Sequence, residues 1–397
     1  MLIPVIIFWV SLSVLFFCYI GYGILLFVLN KGKALFAPAR KKQIKTITEY
    51  LPVTLIITAY NEKEVLERKI RNTLGIDYPA GKLDILFVTD GSTDGSEAII
   101  RQYPSLQVLH QSERKGKLAA IKRAMQQVKT PVVVFSDANT ELNKECIQRI
   151  VRHYDDPATG GVAGEKKIIS NPLTSAIGEA EGLYWRYESF MKKLDADFNT
   201  VVGAAGELFS IRTELFTPLD DHIILDDFVI SMKICLKGYR IGYEPEAFAT
   251  EFPSSSLAEE EKRKVRISAG AYQCIRYLKS ALNIARYPLL SFQYISRRLL
   301  RWIFCPVMLI ALLVTNILIV FDNDTYSLYT LLLAGQFVFY LAAFTGWLLI
   351  LSGKRPGILT IPFYFVFMNY CLVKGFARFL RGKQSVLWER SARQVME

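Results

Sequence analysis

Val53-Thr54-Leu55-Ile56-Ile57-Thr58-Ala59-Tyr60-Asn61-Glu62 begins as a β-branched run and ends in a polar loop, after which Val65, Leu66, Ile70 and Leu74 recur at helical spacing. The change of period from two to 3.6 predicts a strand, a loop and an amphipathic helix. The unit repeats downstream. Leu83 to Val88 leads into Asp90-Gly91-Ser92-Thr93-Asp94-Gly95-Ser96 and a helix to about Arg101, and Val132 to Phe135 leads into Ser136-Asp137-Ala138-Asn139-Thr140 and a helix to about His153. Strands alternating with helices predict an α/β fold with a mostly parallel, Rossmann-like sheet. Ligands of such sheets bind at the carboxyl ends of the strands, so the three polar loops are expected to converge on one crevice.

Outside that middle the chain is apolar. Of 397 residues 51% are hydrophobic. Uncharged runs cover Pro4 to Leu29, Trp302 to Phe321 and Tyr326 to Leu351, each long enough to span a bilayer as a helix. Ile358 to Val373 has only 16 residues and includes Pro362 and Asn369, which leaves a short span, a re-entrant segment and an interfacial segment all open. The first run lacks a preceding basic residue and is longer than a signal-peptide core, so an uncleaved anchor is expected. Lys31, Lys33, Arg40, Lys41, Lys42 and Lys45 follow it without an acid among them, which places the middle of the chain in the cytoplasm by the positive-inside rule. The expected organisation is a membrane helix over 1–30, a cytoplasmic α/β domain over 31–270, basic interfacial helices over 271–301, two spans and a third short or re-entrant segment over 302–373, and a basic tail over 374–397. A bacterial inner (plasma) membrane is the expected location.

The net charge of +11 is distributed as juxtamembrane clusters, with ten basic and no acidic residues from Lys262 to Arg301. That pattern points to anionic membrane lipids and away from nucleic acid. The six cysteines have no metal-ligand spacing, and His110, His153 and His222 form no constellation, so a zinc site is not expected.

Several residues carry chemistry on their own terms. Asp90 at a strand end can accept hydrogen bonds from a base or ribose, although Asp94 and Ser96 equally suit a turn and a helix cap. Asp137 and Asn139 stand two apart at a strand end, and paired oxygens suit a hard cation bridging a diphosphate. Arg114-Lys115-Gly116-Lys117 precedes a helix, where Lys117 is a candidate phosphate ligand beside the bland reading of a mobile basic loop. Asp226 and Asp227 open a helical pattern and could cap it.

In order, Tyr60-Asn61-Glu62, Asp90 to Gly95, Asp137-Ala138-Asn139, Gly203-Ala204-Ala205-Gly206-Glu207 and Leu225-Asp226-Asp227 resemble the motifs of a family 2 glycosyltransferase of the GT-A fold, the group that includes cellulose, hyaluronan and poly-N-acetylglucosamine synthases. The likeness runs from about Pro52 to Gly270. It implies a nucleotide-sugar donor, most simply a UDP-sugar, and a polysaccharide acceptor, with a single-step transfer to a lipid-linked acceptor and a non-catalytic nucleotide sensor as alternatives. It implies Asp227 as general base with Asp226 beside it. Tyr60, Glu62, Asp90, Lys117, Asp137, Gly206, Glu207 and Arg266 are implied as substrate-binding, and Asp137 and Asn139 as holding Mg2+ or Mn2+. Two departures stand out. Asn139 replaces an acid of the Asp-x-Asp motif, so Asn139→Asp is expected to tighten the metal. In Arg263-Lys264-Val265-Arg266-Ile267 only Arg266 matches the Gln-x-x-Arg-Trp motif of the synthases, and the missing Trp weighs against processive polymerisation. Tyr184, Trp185 and Tyr187, in the segment from Leu173 to Leu194, could supply aromatic surface instead. Few helices are present to wall a polymer channel, so an oligomer or an export partner would have to supply more.

Overall fold

The computed structural model describes residues 2–36, 49–169, 176–322 and 328–382. One eight-stranded sheet organises the middle of the chain: β1 (Val53–Ala59), β2 (Leu83–Asp90), β3 (Gln107–Gln111), β4 (Val132–Asp137), β5 (Glu141–Leu142), β6 (Thr159–Ile168), β7 (Leu208–Arg212) and β8 (Arg240–Glu251), in the spatial order β3-β2-β1-β4-β7-β6-β8-β5. The strands β3, β2, β1 and β4 are mutually parallel. Every residue of β1 is buried, as expected of a strand covered on both faces by helices. The sheet is mixed beyond β4, because β7 runs antiparallel to both β4 and β6.

Two features of this order build the crevice. The chain leaves β1 toward β2 and β3 and then returns to pair β4 on the other side of β1, so the strand order reverses between β1 and β4. A crevice opens at such a reversal, outside the carboxyl ends of the strands, and here Thr58 of β1 is the register partner of Asp137 of β4. The antiparallel β7 then pairs Leu208 with Ser136, which sets Gly206 and Glu207 beside the end of β4. A strand of the other direction thus adds its entry loop to the exit loops of its neighbours.

Among the described residues, four helices are long and apolar enough to cross a membrane: Leu2–Leu35, Pro288–Phe321, Leu328–Leu351 and Gly357–Leu380. The fourth extends past Val373 through Lys374 to Leu380, so the segment expected to be short is a full-length candidate span of 24 residues. The helix Thr360–Leu380 crosses Leu257–Tyr277 closely at Gly375, where a Cβ would stand 2.4 Å from Ser268 Cβ and 2.9 Å from the Ala269 nitrogen.

Residues 288–321 form one continuous helix whose π-helical stretch, Ile295–Phe304, carries the arginines from the interfacial region into the apolar part. The basic residues from Lys262 to Arg301 do not all face outward. Arg263 donates to Glu181 at 2.7 Å, Lys264 lies 3.4 Å from Glu260, and Arg297 and Arg301 pair with Glu188 at 2.8 and 2.6 Å. These side chains are paired inside the protein, because ion pairing offsets a desolvation penalty that a lone buried cation could not bear. Arg40, Lys41, Lys42 and Lys45, Leu173, and the tail beyond Gly382 lie outside the described residues.

Candidate active site

The cleft at the β1/β4 reversal has a volume of about 210 Å³ and is lined by Glu62, Lys117, Asp137, Asn139, Gly206, Glu207, Asp226, Asp227 and Arg266, with Glu251, Arg263 and Ile267 among its other walls. Nine of the expected site residues therefore meet in one place. Tyr60 and Asp90 do not line it.

Asp90 has another task. Its carboxylate is buried and accepts from the backbone N–H groups of Lys115 at 3.0 Å and Gly116 at 2.6 Å, and from Arg123 Nη1 at 3.2 Å. These bonds clamp the loop before Lys117, since a buried carboxylate must find donors and the nearest are main-chain amides. Gly91 permits this closeness: its φ is 69° and a Cβ there would fall 2.6 Å from Arg114 Cβ. Arg114 in turn covers the Tyr60 ring, with its guanidinium carbon 3.6 Å from the ring centroid. The first two polar loops are sewn together as well. Asn61 Oδ1 accepts from Thr93 N–H at 2.8 Å, and Asp94 accepts from Lys63 N–H at 2.9 Å and from Ser96 N–H at 3.0 Å. Asp94 is thus the turn and cap residue that its chemistry suggests.

Lys117 opens the helix Lys117–Met125, and its Nζ donates to Asp137 Oδ1 at 2.5 Å. Burial alone would lower its pKa, but the carboxylates of Asp137, Asp226 and Asp227 hold it raised, so this ammonium is a fixed positive charge in the cleft. Asn139 Nδ2 donates to Glu251 Oε1 at 3.1 Å, which turns the amide oxygen away from Glu251. Beneath this loop the buried Lys69 Nζ donates to Ser136 Oγ at 2.9 Å and to the Thr140 carbonyl at 2.8 Å. Lys69 was not anticipated. The available signal is its placement with Leu66, Ile70 and Thr73 on the buried face of Lys63–Leu74, where a lysine needs internal acceptors.

No group of three His, Cys, Asp or Glu side chains gathers as a metal cluster among the described residues. The residues at β4 nevertheless fit a divalent cation that draws its remaining ligands from a diphosphate. Lys117 engages one oxygen of Asp137, and the second carboxylate oxygen and the Asn139 amide oxygen are hard donors at the same strand end.

Asp226 and Asp227 begin the helix Asp226–Leu236, where a negative charge is favoured by the helix dipole. Asp226 is buried and Asp227 half-buried, with Asp227 Oδ1 accepting from Phe228 N–H at 2.8 Å. Burial, and then the neighbouring charges of Asp226 and Glu207, push the Asp227 carboxyl up to about 7 against the opposing pull of Lys117. Glu207 behaves oppositely. Burial raises it, but Lys166 at 2.5 Å, helped by Arg263, holds it down to about 2. Two cleft carboxyls are therefore driven apart, one poised near neutrality and one fixed as an anion, which is the usual mark of divided roles. Gly206 lets Lys117 and Asp227 approach the same point, since a Cβ there would lie 3.1 Å from Lys117 Nζ and 3.2 Å from Asp227 Oδ2.

Glycosyl transferase family 2 matches the chain over residues 54–217, the stretch that holds β1 to β7 and the cleft loops through Glu207. That stretch is a family 2 glycosyltransferase domain. The poly-beta-1,6-N-acetyl-D-glucosamine synthase of Staphylococcus aureus (strain COL) is 25% identical over 277 residues, covering 66% of this chain and 65% of the relative. The beta-monoglucosyldiacylglycerol synthase of Synechocystis is 27% identical over 245 residues, 58% of this chain and 49% of the relative. The matches thus span about two thirds or less of the length of these relatives. A mannosyltransferase from Pyrobaculum calidifontis, solved in complex with GDP-Man and Mn2+, shares the fold over 91% of this chain and 98% of its own, with a TM-score of 0.64 at 20% identity. The GT-A fold of the chain is therefore matched together with its helical part.

Proposed function

We propose that this family 2 member is an inverting hexosyltransferase, embedded in the membrane with its cleft on the cytoplasmic side, that takes its sugar from a nucleotide-sugar donor. The observation that carries the reading is Asp227: a half-buried carboxylate facing the cleft, poised near neutrality, at a helix start beside Gly206 and Lys117. Such a group can take a proton from an acceptor hydroxyl as that oxygen attacks the anomeric carbon. The bond from the anomeric carbon to the diphosphate oxygen breaks as the new one forms, and the nucleoside diphosphate leaves with the electron pair. Lys117 faces the developing charge as a fixed cation. Asp137 and Asn139 would hold a divalent cation, Mg2+ or Mn2+. When bound, such a cation supplies further neutralisation of the leaving diphosphate. Asp226 raises the basicity of its neighbour, and Arg266 reaches the same cleft as a second diphosphate ligand.

The acceptor favoured here is a growing polysaccharide, on the likeness to the Staphylococcus synthase. The rival is a single transfer to a lipid, supported by the Synechocystis relative and by Ile267 in the cleft wall where the synthases carry Trp. Tyr184, Trp185 and Tyr187 are absent from the cleft lining; Tyr187 donates instead to the Tyr19 carbonyl at 3.1 Å. The deciding experiment incubates the purified membrane protein with UDP-N-acetylglucosamine, UDP-glucose and GDP-mannose in turn and sizes the products. Long products at early times establish the polymerase; one sugar per lipid, unchanged on longer incubation, establishes the rival. Absence of transfer from every donor tried, with nucleotide binding intact, would sink the enzyme reading and favour a sensor.

A further inference from the structure

The helix Pro288–Phe321 does more than cross the apolar layer. In its π-helical stretch Arg297 and Arg301 hold the buried Glu188 at 2.8 and 2.6 Å, and the arginine between them turns elsewhere. Arg298 Nε and Nη2 both donate to the Val202 carbonyl, at 3.2 and 3.1 Å, while its Nη1 keeps one contact with Glu188 at 3.4 Å. The guanidinium lies beside a pair of rings, 5.8 Å from the centroid of Phe228 and 6.0 Å from that of Trp302.

The residue after Val202 is Gly203, with a φ of 85°, and a Cβ there would stand only 1.9 Å from the Phe228 ring. The 202–203 backbone is therefore seated directly on Phe228. Phe228 is the neighbour of Asp227 and donates its N–H to Asp227 Oδ1 at 2.8 Å. A second tie runs in parallel: Ala204 N–H donates to Ser231 Oγ at 3.0 Å, and Ser231 Oγ donates to the Asp227 carbonyl at 2.8 Å. The loop that Arg298 grips is thus tied to Asp227 by packing on Phe228 and by a hydrogen-bonded relay through Ser231, and it continues into Gly206 and Glu207 of the cleft.

We propose that Arg298 is a positioning residue, which transmits the seat of the membrane helix through Val202, Gly203 and Phe228 to the carboxylate of Asp227. It rests on the reading of Asp227 as the base. The two donors on one carbonyl fix the loop in direction as well as distance, which a single flexible ammonium cannot do. This chain of contacts makes no hydrogen bond to Lys117 or Asp137, so turnover is expected to suffer more than donor binding.

Turnover and donor KM are measured for the full-length protein in nanodiscs with UDP-N-acetylglucosamine, UDP-glucose and GDP-mannose, and binding of UDP and GDP is measured alongside. Arg298→Gln is expected to lower kcat by about 10- to 100-fold, the scale of a displacement near 1 Å at the reacting group. Donor KM and nucleotide affinity are expected to stay within about twofold. Arg298→Lys, which keeps the charge toward Glu188 and one donor toward Val202, is expected to recover part of the loss. It also carries the test if Arg298→Gln fails to fold. Wild-type kcat in both variants overturns the inference, as does a parallel loss of nucleotide binding, which would mark general structural damage. An active Asp227→Asn would sink the base assignment and this inference with it, whereas an inactive Asp227→Asn beside an unimpaired Arg298→Gln sinks this inference alone.

Discussion

Lys117 Nζ stands 2.5 Å from Asp137 Oδ1, joining the start of the helix after β3 to the end of β4. The same ammonium lies close to where a Gly206 Cβ would be, and that point is also next to Asp227 Oδ2. One positive charge therefore serves both halves of the cleft: it neutralises the carboxylate expected at the diphosphate, and it holds down the pKa of the carboxylate expected at the acceptor.

Replacing Lys117 by Gln should act in two ways. Donor KM should rise, because a fixed cation is lost from the diphosphate side. The acidic limb of kcat should move to higher pH, because Lys117 opposes the upward push on Asp227. A pH–rate profile with the limb unmoved would remove the electrostatic link between the two residues.

The wild-type profile follows from the same shift. Asp227 must be ionised to accept a proton, and its carboxyl is pushed up to about 7 by burial and by Asp226 and Glu207. Turnover should thus be full above that pH and fall about tenfold for each unit below it, as the protonated fraction grows. An acidic limb near 4, the ordinary range of an aspartate, would contradict the burial argument.

Asp227→Asn keeps the shape of the side chain and the contact with Phe228 N–H but cannot accept the acceptor proton. Turnover should drop by about 10²- to 10⁴-fold. Affinity for the nucleoside diphosphate should be nearly unchanged. Near wild-type transfer in this variant is the result that would falsify the base assignment.

Asn139→Asp has an outcome that the residue types alone would misjudge. A carboxylate there restores an anionic ligand, but the wild-type amide donates to Glu251 Oε1 at 3.1 Å, and the variant would set two carboxylates against each other. The variant should melt lower than wild type in chelator and regain stability on addition of Mn2+, which would screen the pair. Equal melting temperatures of the two proteins in chelator would show that the Glu251 contact is not felt.

Gly375 offers a test of the helical part. A side chain there meets Ser268 Cβ at 2.4 Å and backbone at 2.9 Å, so the two helices must separate. Overpacking of this kind costs about 1–3 kcal/mol. Gly375→Val should therefore lower the unfolding midpoint in detergent, whereas Gly335→Val, on the helix Leu328–Leu351 with open space at its Cβ, should not.

Much of this protein was legible in its residues. The alternation of Val53–Ala59, Leu83–Asp90 and Val132–Asp137 with helical periods announced a parallel α/β sheet, because burial on both faces demands continuous apolar strands. Loops at their carboxyl ends announced the cleft, and three of the four candidate membrane helices were visible as uncharged runs. These are local properties, written in the period and polarity of consecutive residues. What the tertiary structure decided was the partner of each charge. Asp90 gains the backbone amides of Lys115 and Gly116 as partners, and Arg263, Arg297 and Arg301 look like lipid-facing cations until Glu181 and Glu188 are brought opposite them. Lys69, Glu251 and Arg298 gained their places in the same way, through contacts with residues far away in the chain. A charged side chain is described locally only as polar, and whether it is solvated, paired or poised depends on the charge and burial that other elements impose on it.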